Sequence, residues 1–495
     1  MTLGEILSGA PVTGVVPAEL TAAPVTGVAY DSRKVAPGFL FFAFPGKHVD
    51  GGAFAAQASE RGALAVVSES PRPADAAGQW IKVEHGRRAL AVASRNFFGK
   101  PDERIAITGI TGTNGKTTTA YLLDSILRGA GHTTALAGTI EYRLAGKATT
   151  AVNTTPESPE LFRMFSELAA TGGSHATMEV SSHALALGRV YGIRFHTAVF
   201  TNLTRDHLDF HRTMEEYFDA KRLLFEGVGA PPPPFSVVNH DDAFGRRIEA
   251  APGTTMLSYG IGEGAEARAC HIHSGFDGLH FEIALENEWF PIVSPLPGRM
   301  NVYNILAAWC AGHTMGIPPE RLGSGITACR AVPGRFERVD EGQPFLVVVD
   351  YAHTDDALRN VIAVARGLEP KRVITLFGCG GDRDRAKRPM MGEAAAELSD
   401  FVVLTSDNPR SEDPLAIIND ALQGLWRHDT PHVEEPDREK AIRIALAKAE
   451  PGDIVILAGK GHETYQILKD RTIHLDDREV ARKVLRGFGY GAAKE

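Results

Sequence analysis

Residues 107–118, Ile-Thr-Gly-Ile-Thr-Gly-Thr-Asn-Gly-Lys-Thr-Thr, constrain this chain more than any other stretch. Residues 104–108 read as a short buried strand, and Tyr121, Leu122, Ile126 and Leu127 mark one face of a helix that stops near Gly129 and Gly131. A strand, a glycine loop and a helix in that order place free backbone N–H groups and the positive end of a helix dipole at the loop, where they attract anions. Gly112 and Gly115 let the backbone of Thr113 and Asn114 approach a phosphate. Lys116 can reach the outer phosphates, and the hydroxyl of Thr117, with Thr118 behind it, suits Mg²⁺. The commoner loop has a glycine where this chain has Ile110, so the working segment is the shorter Gly112-x-x-Gly115-Lys116-Thr117. A nucleotide triphosphate is the expected ligand.

A length of 495 residues predicts about three domains. A formal net charge of -9 argues against a general nucleic-acid or membrane-surface binder, which needs a basic face. Cys270, Cys310, Cys329 and Cys379 are scattered without the paired spacing of a zinc site or disulfide framework. No basic segment precedes an apolar run at residues 1–5, and no stretch approaches the roughly 20 apolar residues of a membrane span. A reducing cytoplasm is the expected location, with no membrane insertion and no nucleic acid partner.

The pattern divides the chain into three α/β units. Residues 1–98 alternate short strand-like runs, such as 38–44 and 63–67, with one or two helices. The pattern breaks near Phe98-Gly99-Lys100-Pro101, and residues 99–331 form a second unit around the phosphate loop. That unit carries apolar strands at 175–180 and 196–203, a stiff loop at the proline run 231–234, and a closing helix at 301–315. From Val332-Pro333-Gly334-Arg335 onward strands and helices alternate: strand 345–349, helix 356–366, strand 372–377, helix 388–398, strand 401–404, helix 415–426 and strand 454–457. Such alternation predicts a mostly parallel sheet with helices on both faces.

In open parallel sheets ligands bind beyond the C-terminal ends of the strands. Polar clusters follow strand after strand here: Glu179-Val180-Ser181-Ser182-His183, Thr201-Asn202-Leu203-Thr204-Arg205-Asp206-His207-Leu208-Asp209, Asp350-Tyr351-Ala352-His353, Gly378-Cys379-Gly380-Gly381-Asp382-Arg383, Asp407-Asn408-Pro409-Arg410 and Gly459-Lys460-Gly461-His462-Glu463. Each alone is compatible with an ordinary turn. Six at equivalent places are not. On a helix over 213–226, Lys221 falls on the apolar stripe of Met214, Tyr217, Leu224 and Phe225. Such a lysine either snorkels to solvent or has its amine held from water, where its pKa falls and the neutral form becomes available.

Taken together, the motifs at 112–118, 179–183, 201–209 and 407–410 resemble those of the Mur ligases, and the resemblance runs from Asp31-Ser32-Arg33 to the 459–463 segment. It implies a small N-terminal α/β domain for a UDP-sugar, a central P-loop ATPase domain with a mostly parallel sheet, and a C-terminal Rossmann-like domain for an incoming amino acid. It implies amide formation with ATP as co-substrate: the carboxylate of UDP-N-acetylmuramoyl-L-alanyl-D-glutamate is phosphorylated, and an amine attacks the acyl phosphate. Under the resemblance Lys116, Glu179, His207 and Lys221 are catalytic. Thr117 and Glu179 would hold the Mg²⁺ on ATP, and His207 with a carbamylated Lys221 a second Mg²⁺. Asn301, Arg335, Asp350 and His353 complete the ATP set, and Ser32, Thr154, Thr155, Ser182 and Arg189 match UDP-substrate contacts, with Leu187 where the family often has Gln.

Diaminopimelate carries a carboxylate at each end, whereas lysine ends in an ammonium alone. Arg383 and Arg410 can each clamp a carboxylate through paired hydrogen bonds. Asp407, Asn408, Pro409, Arg410, Gly459 and Glu463 resemble the family's meso-2,6-diaminopimelate site, and a monomer is the expected state. The rival readings are a ligase of the same class that takes lysine or extends a folylpolyglutamate, and a nucleotide-binding regulatory protein that has lost its chemistry. Residues 1–98 speak against the folylpolyglutamate reading, and Lys116, Glu179, His207 and Lys221 against the regulatory one.

Overall fold

The computed structural model describes residues 1–46, 49–74, 78–208, 210–275 and 278–491; Asp209 of the 201–209 motif lies outside them. Three of its sheets form in chain order, each with its own core. Strands Gly27–Ala29, Phe39–Ala43, Ala65–Ser68 and Trp80–Lys82 pair in parallel. The Phe39–Ala43 strand is apolar throughout because both of its faces are covered: Phe42 packs with Leu90 and Ala93 of the helix Gly86–Phe97, and Phe41 with Ala55 and Ala58 on the opposite side.

The second sheet has eleven strands. At its centre Phe235–Asn239, Thr197–Phe200, Ala106–Thr111, His175–Glu179 and Thr134–Ala137 run parallel. Their register pairs Thr111 with Phe200 and Ile110 with Glu179, so these strands end together at one edge. The loop strand runs on to Thr111 rather than stopping at residue 108, since Gly109 and Ile110 are buried beside both neighbours. The strand expected at 196–203 is shorter, Thr197–Phe200, because Thr201 turns away to donate to the carbonyl of Asn114 at 2.7 Å.

Antiparallel strands extend this sheet on both sides: Glu141–Leu144 with Lys147–Thr150, and Ala267–Gly275 with Gly278–Leu285 and Glu288–Ser294. Sequence periodicity misses them because one of their faces is solvated, so polar residues such as Arg268, His273 and Glu282 interrupt the apolar run. Helix Arg299–Thr314 buries Ile305, Leu306 and Trp309 against Ile126 of helix Lys116–Gly129. Helix Pro319–Ala328 comes so close that a Cβ on Gly325 would sit 2.4 Å from the Cα of Ile126, which only glycine permits.

The third sheet orders its strands Glu337–Val339, Leu346–Asp350, Ile454–Ala458, Val373–Cys379, Phe401–Ser406 and His432–Glu434, all parallel except the first pair. Asp350 pairs with Ala458 and Cys379 with Ser406, so the loops after four strands open at one edge. No helix among the described residues is long and apolar enough to cross a membrane.

Arg438, at the start of helix Arg438–Lys448, anchors that edge from below. Its fully buried guanidinium pairs with Asp477 at 2.8 and 2.6 Å and donates to the carbonyls of Ser406 (3.2 Å) and Ala458 (2.9 Å). Removing one partner of a buried pair leaves the other charge uncompensated. Arg438→Ala is therefore expected to destabilise the third unit by about 3–5 kcal/mol, read as a lower urea midpoint for that unit's transition.

Candidate functional site

The phosphate loop is shaped by its own glycines and by the neighbouring strand. Gly112 and Gly115 adopt φ of 147° and 87°, and a Cβ on Gly112 would lie 1.9 Å from the hydroxyl oxygen of Thr201. The backbone N–H of Asn114 donates to the side chain of Asn202 at 2.9 Å, and Thr204 donates its N–H to the Thr113 hydroxyl at 3.0 Å. Lys116 folds over the loop and donates to the carbonyls of Gly112 and Thr113, both at 2.9 Å. Burial holds its pKa below the ordinary lysine value, partly offset by Glu179 and Asp206.

Glu179 ends its strand directly beneath the loop. One carboxylate oxygen accepts from the Thr117 hydroxyl at 3.0 Å and from the Thr139 hydroxyl at 3.1 Å; the other accepts from the Thr139 N–H at 2.8 Å. Thr117 and Glu179 thus present hard oxygen atoms side by side at the start of a helix, the donor chemistry Mg²⁺ prefers.

Lys221 does not snorkel. It is 1% exposed, and its amine donates to the Gly112 carbonyl at 2.8 Å with the Tyr217 ring 4.5 Å away. Burial holds its pKa well below the ordinary value, and Lys116 adds repulsion. His207, with φ of 55°, stands beside it in a group of rings: His183 at 4.9 Å and Tyr217 at 6.0 Å from His207, and His211 at 5.2 Å from Tyr217. Among the described residues no three His, Cys, Asp or Glu side chains are arranged to hold a metal by themselves. The Lys221 amine is turned to the Gly112 carbonyl and offers no oxygen, the donor atom that Mg²⁺ prefers.

The candidate nucleotide residues come together from two units. Asn114, Gly115, Thr117, Thr118, Asn301, Arg335 and Asp350 line a cavity of about 130 Å³. Arg335 reaches across to the Thr117 hydroxyl at 3.3 Å, stacks over the Tyr351 ring at 5.0 Å, and keeps its buried Nε without a hydrogen-bond partner. Asp350 accepts from the N–H groups of Phe336 (2.7 Å) and Ala352 (2.8 Å), while burial raises its pKa against the pull of Arg335. His353 lies apart from these, on a larger cavity.

Four of the five candidate UDP-substrate residues gather around the end of the Glu179 strand. Thr155 donates to the Glu179 carbonyl at 2.8 Å and accepts from the Ser181 N–H; the Thr154 and Thr139 hydroxyls lie 3.1 Å apart; Ser182 meets His211 at 2.9 Å. Arg189 donates to the Thr155 carbonyl at 3.1 Å and pairs with Glu157 at 2.9 Å. The fifth, Ser32, belongs to the first unit, where its hydroxyl donates to Gln57 at 2.6 Å. Tyr30 and Lys34 flank it and reach Glu160 of the second unit at 3.1 and 3.7 Å, so the two units meet beside Ser32. Leu187 is the half-buried last residue of helix Ser182–Leu187.

The larger cavity, about 510 Å³, lies between the facing strand edges of the second and third units. His183, Arg205, Asp206 and His207 line it from one side; His353, Arg383, Asp407, Asn408, Arg410, Gly459 and Glu463 line it from the other. Pro409 shapes the loop from behind, its carbonyl packed against Gly381. Arg410 has φ of 53° and donates to the Gly381 carbonyl at 2.7 Å, whereas Arg383 is exposed.

Sequence reasoning missed Asp356 and Lys460 as functional candidates. Asp356 crosses between units to accept from Asn114 (2.8 Å) and Thr204 (3.0 Å). Its signal was an acid in the first turn of a helix that follows a polar strand end. Lys460 stood inside a recognised cluster, and only its burial distinguishes it.

Comparison with known proteins gives consistent results. Residues 110–312 match the family model for the Mur ligase middle domain, residues 334–461 that for the Mur ligase glutamate ligase domain, and residues 24–98 that for the Mur ligase family catalytic domain. The chain is 66% identical over 490 residues to the UDP-N-acetylmuramoyl-L-alanyl-D-glutamate–2,6-diaminopimelate ligase of Solibacter usitatus, covering 99% of both chains. It is 45% identical to the ligase of the same name from Geobacillus thermodenitrificans, covering 93% of this chain and 95% of that one. A solved structure of such a 2,6-diaminopimelate ligase superposes with a TM-score of 0.71 at 32% identity, covering 99% of each chain. MurF of Thermotoga maritima in complex with ADP shares the fold, with a TM-score of 0.64 at 19% identity over 93% of this chain and 97% of that one. The chain belongs to the Mur ligase family.

Proposed function

We propose that this chain is an ATP-dependent amide ligase that adds meso-2,6-diaminopimelate to UDP-N-acetylmuramoyl-L-alanyl-D-glutamate, a cytoplasmic step of peptidoglycan precursor synthesis. The observation that carries the reading is the facing of two strand edges across one cavity. The loops after the second unit's strands, with Arg205, Asp206 and His207, stand on one side and a paired-arginine, paired-carboxylate wall on the other, while the phosphate loop lines the smaller cavity between the same two units. Relatives named for this reaction span the chain at 66% and 45% identity, which supports it.

An anionic carboxylate must approach the anionic γ-phosphate of ATP, so catalysis rests on charge neutralisation and alignment. Lys116, at the head of the loop, offsets charge on the outer phosphates, and Arg335 reaches the same place from the third unit. The carboxylate oxygen bonds to the γ-phosphorus as the bond to ADP breaks, giving an acyl phosphate. The diaminopimelate amine then attacks the carbonyl carbon, and the tetrahedral adduct expels phosphate and a proton to leave the amide. Arg410 and Arg383 are suited to bind the carboxylates of the incoming amino acid, Asp407 and Glu463 its far ammonium, and Asn408 and Gly459 complete that wall. Thr154, Thr155, Ser182 and Arg189, with Ser32 across the unit boundary, would hold the UDP-linked dipeptide.

Thr117 and Glu179 fit a Mg²⁺ that accompanies ATP. His207 fits a second one once Lys221 has added CO₂, with loss of a proton, to become a carbamate. Bound there, the ions would supply positive charge to the phosphates. A low pKa for the buried amine favours that addition, because only the neutral amine attacks CO₂.

Two outcomes are expected. ADP release should require both the UDP-linked dipeptide and meso-diaminopimelate, measured by a coupled assay; equal efficiency with lysine overturns the acceptor assignment. Lys221→Ala should lose at least about 100-fold in kcat, with partial recovery when a short-chain acid is added, whereas near-normal turnover would show that the amine has no part in the reaction.

A further inference from the structure

Lys460 stands behind the wall of the larger cavity without lining it. It is fully buried on the turn after strand Ile454–Ala458. Its amine donates to Glu463 Oε2 at 2.7 Å and to Asn408 Oδ1 at 3.0 Å, and lies 4.0 Å from Asp407 Oδ1. Asn408 Oδ1 also accepts from the Ile467 N–H at 2.9 Å, so the amide nitrogen must turn to Glu463, where it donates to Oε2 at 3.0 Å. One buried cation therefore fixes both a carboxylate and the orientation of an amide that face the ligand. Glu463 Oε2 is taken up by these two donors; Oε1, apart from the Tyr465 hydroxyl at 3.5 Å, is left for a ligand ammonium.

Charge sets a second consequence. Around the two carboxylates Asp407 and Glu463 stand the cations Lys460, Arg383 and Arg410, and Asp355, Asp382, Asp384 and Lys387 line the same side of the cavity. A ligand end bearing both ammonium and carboxylate finds a partner for each charge, Asp407 and Glu463 for the one and Arg383 and Arg410 for the other, whereas an end bearing ammonium alone leaves the two arginines without a ligand anion. Without Lys460 these two carboxylates lose the buried cation that offsets part of their pull on a lone ammonium.

We propose that Lys460 is a positioning residue that sets acceptor preference, holding Glu463 and Asn408 in place and biasing the site toward an amino acid with a carboxylate at its far end. The inference rests on the functional reading above. It is tested by measuring ADP release with diaminopimelate and with lysine for Lys460→Met, Lys460→Gln and Lys460→Arg. Loss of hydrogen bonds from a charged donor predicts, for the Met and Gln variants, a fall of at least about 10-fold in kcat/KM for diaminopimelate, carried by KM. The KM for ATP is expected to hold within about twofold, the diaminopimelate-to-lysine ratio to narrow by about 10-fold, and Lys460→Arg to keep most of the preference. Lys460→Gln retains a polar tip, so a failure of the Met variant to fold leaves the ratio measurable. An unchanged ratio, or an equal loss for both acceptors together with a raised ATP KM, overturns the role of Lys460 alone. Absence of diaminopimelate-dependent ADP release from the unsubstituted protein overturns the functional reading itself, and this inference with it.

Discussion

The carbonyl of Gly112 accepts from two lysines, Lys116 at 2.9 Å and Lys221 at 2.8 Å, and the chemistry of the site depends on that crowding. Two ammonium groups on one oxygen in a place shielded from water repel strongly, so the protein favours one charge over two. The choice follows from position. Burial disfavours the cation at both amines and most strongly at Lys221, sealed under the loop against Tyr217; at Lys116, which opens onto the phosphate loop, Glu179 and Asp206 offset part of it. Two residues of one type thereby sit in different fields, one at the mouth of the phosphate loop and the other beneath it. The φ of 147° at Gly112 helps make this possible, because a side chain there would collide with Thr201 and force the carbonyl away.

Sheet register carries that local arrangement to the rest of the site. Parallel strands that end in step leave their loops at one edge, and both large sheets do so, with the edges facing each other across the cavity. Polar residues scattered from position 183 to position 463 become neighbours because the strands bring them to the same two edges. Among the hydrogen bonds that join them are those of Asp356 to Asn114 and Thr204, and of Arg335 to Thr117. Each of them involves the phosphate loop or a residue bonded to it, so part of the third unit's hold on the second passes through the loop that a nucleotide would occupy. Binding at the loop and the position of the third unit are linked by geometry.

Much of this was legible in the chain itself. The glycine loop between a buried strand and a helix, the polar residues after strands, and a lysine on an apolar helix stripe are local patterns whose physics is local, and the structure contains each of them. The parallel core of the third sheet was equally readable, since strands covered on both faces are continuous apolar runs. The antiparallel extensions of the central sheet were not, because one solvated face dilutes the apolar signal.

Tertiary structure alone decided what depends on distance between remote residues. Nothing in the sequence says that Lys221 shares an oxygen with Lys116, that Ser32 bonds Gln57 rather than the other candidate UDP-substrate residues, or that Lys460 grips Glu463 and Asn408. Nor does it say that Asp356 closes on a loop 242 positions earlier. The reason is physical: backbone propensity and periodicity act over one or two turns of chain, whereas burial and charge pairing act through space. The sequence by itself determined which chemical groups stand at the strand ends, and the packing of one sheet edge against the other decided which of those groups meet.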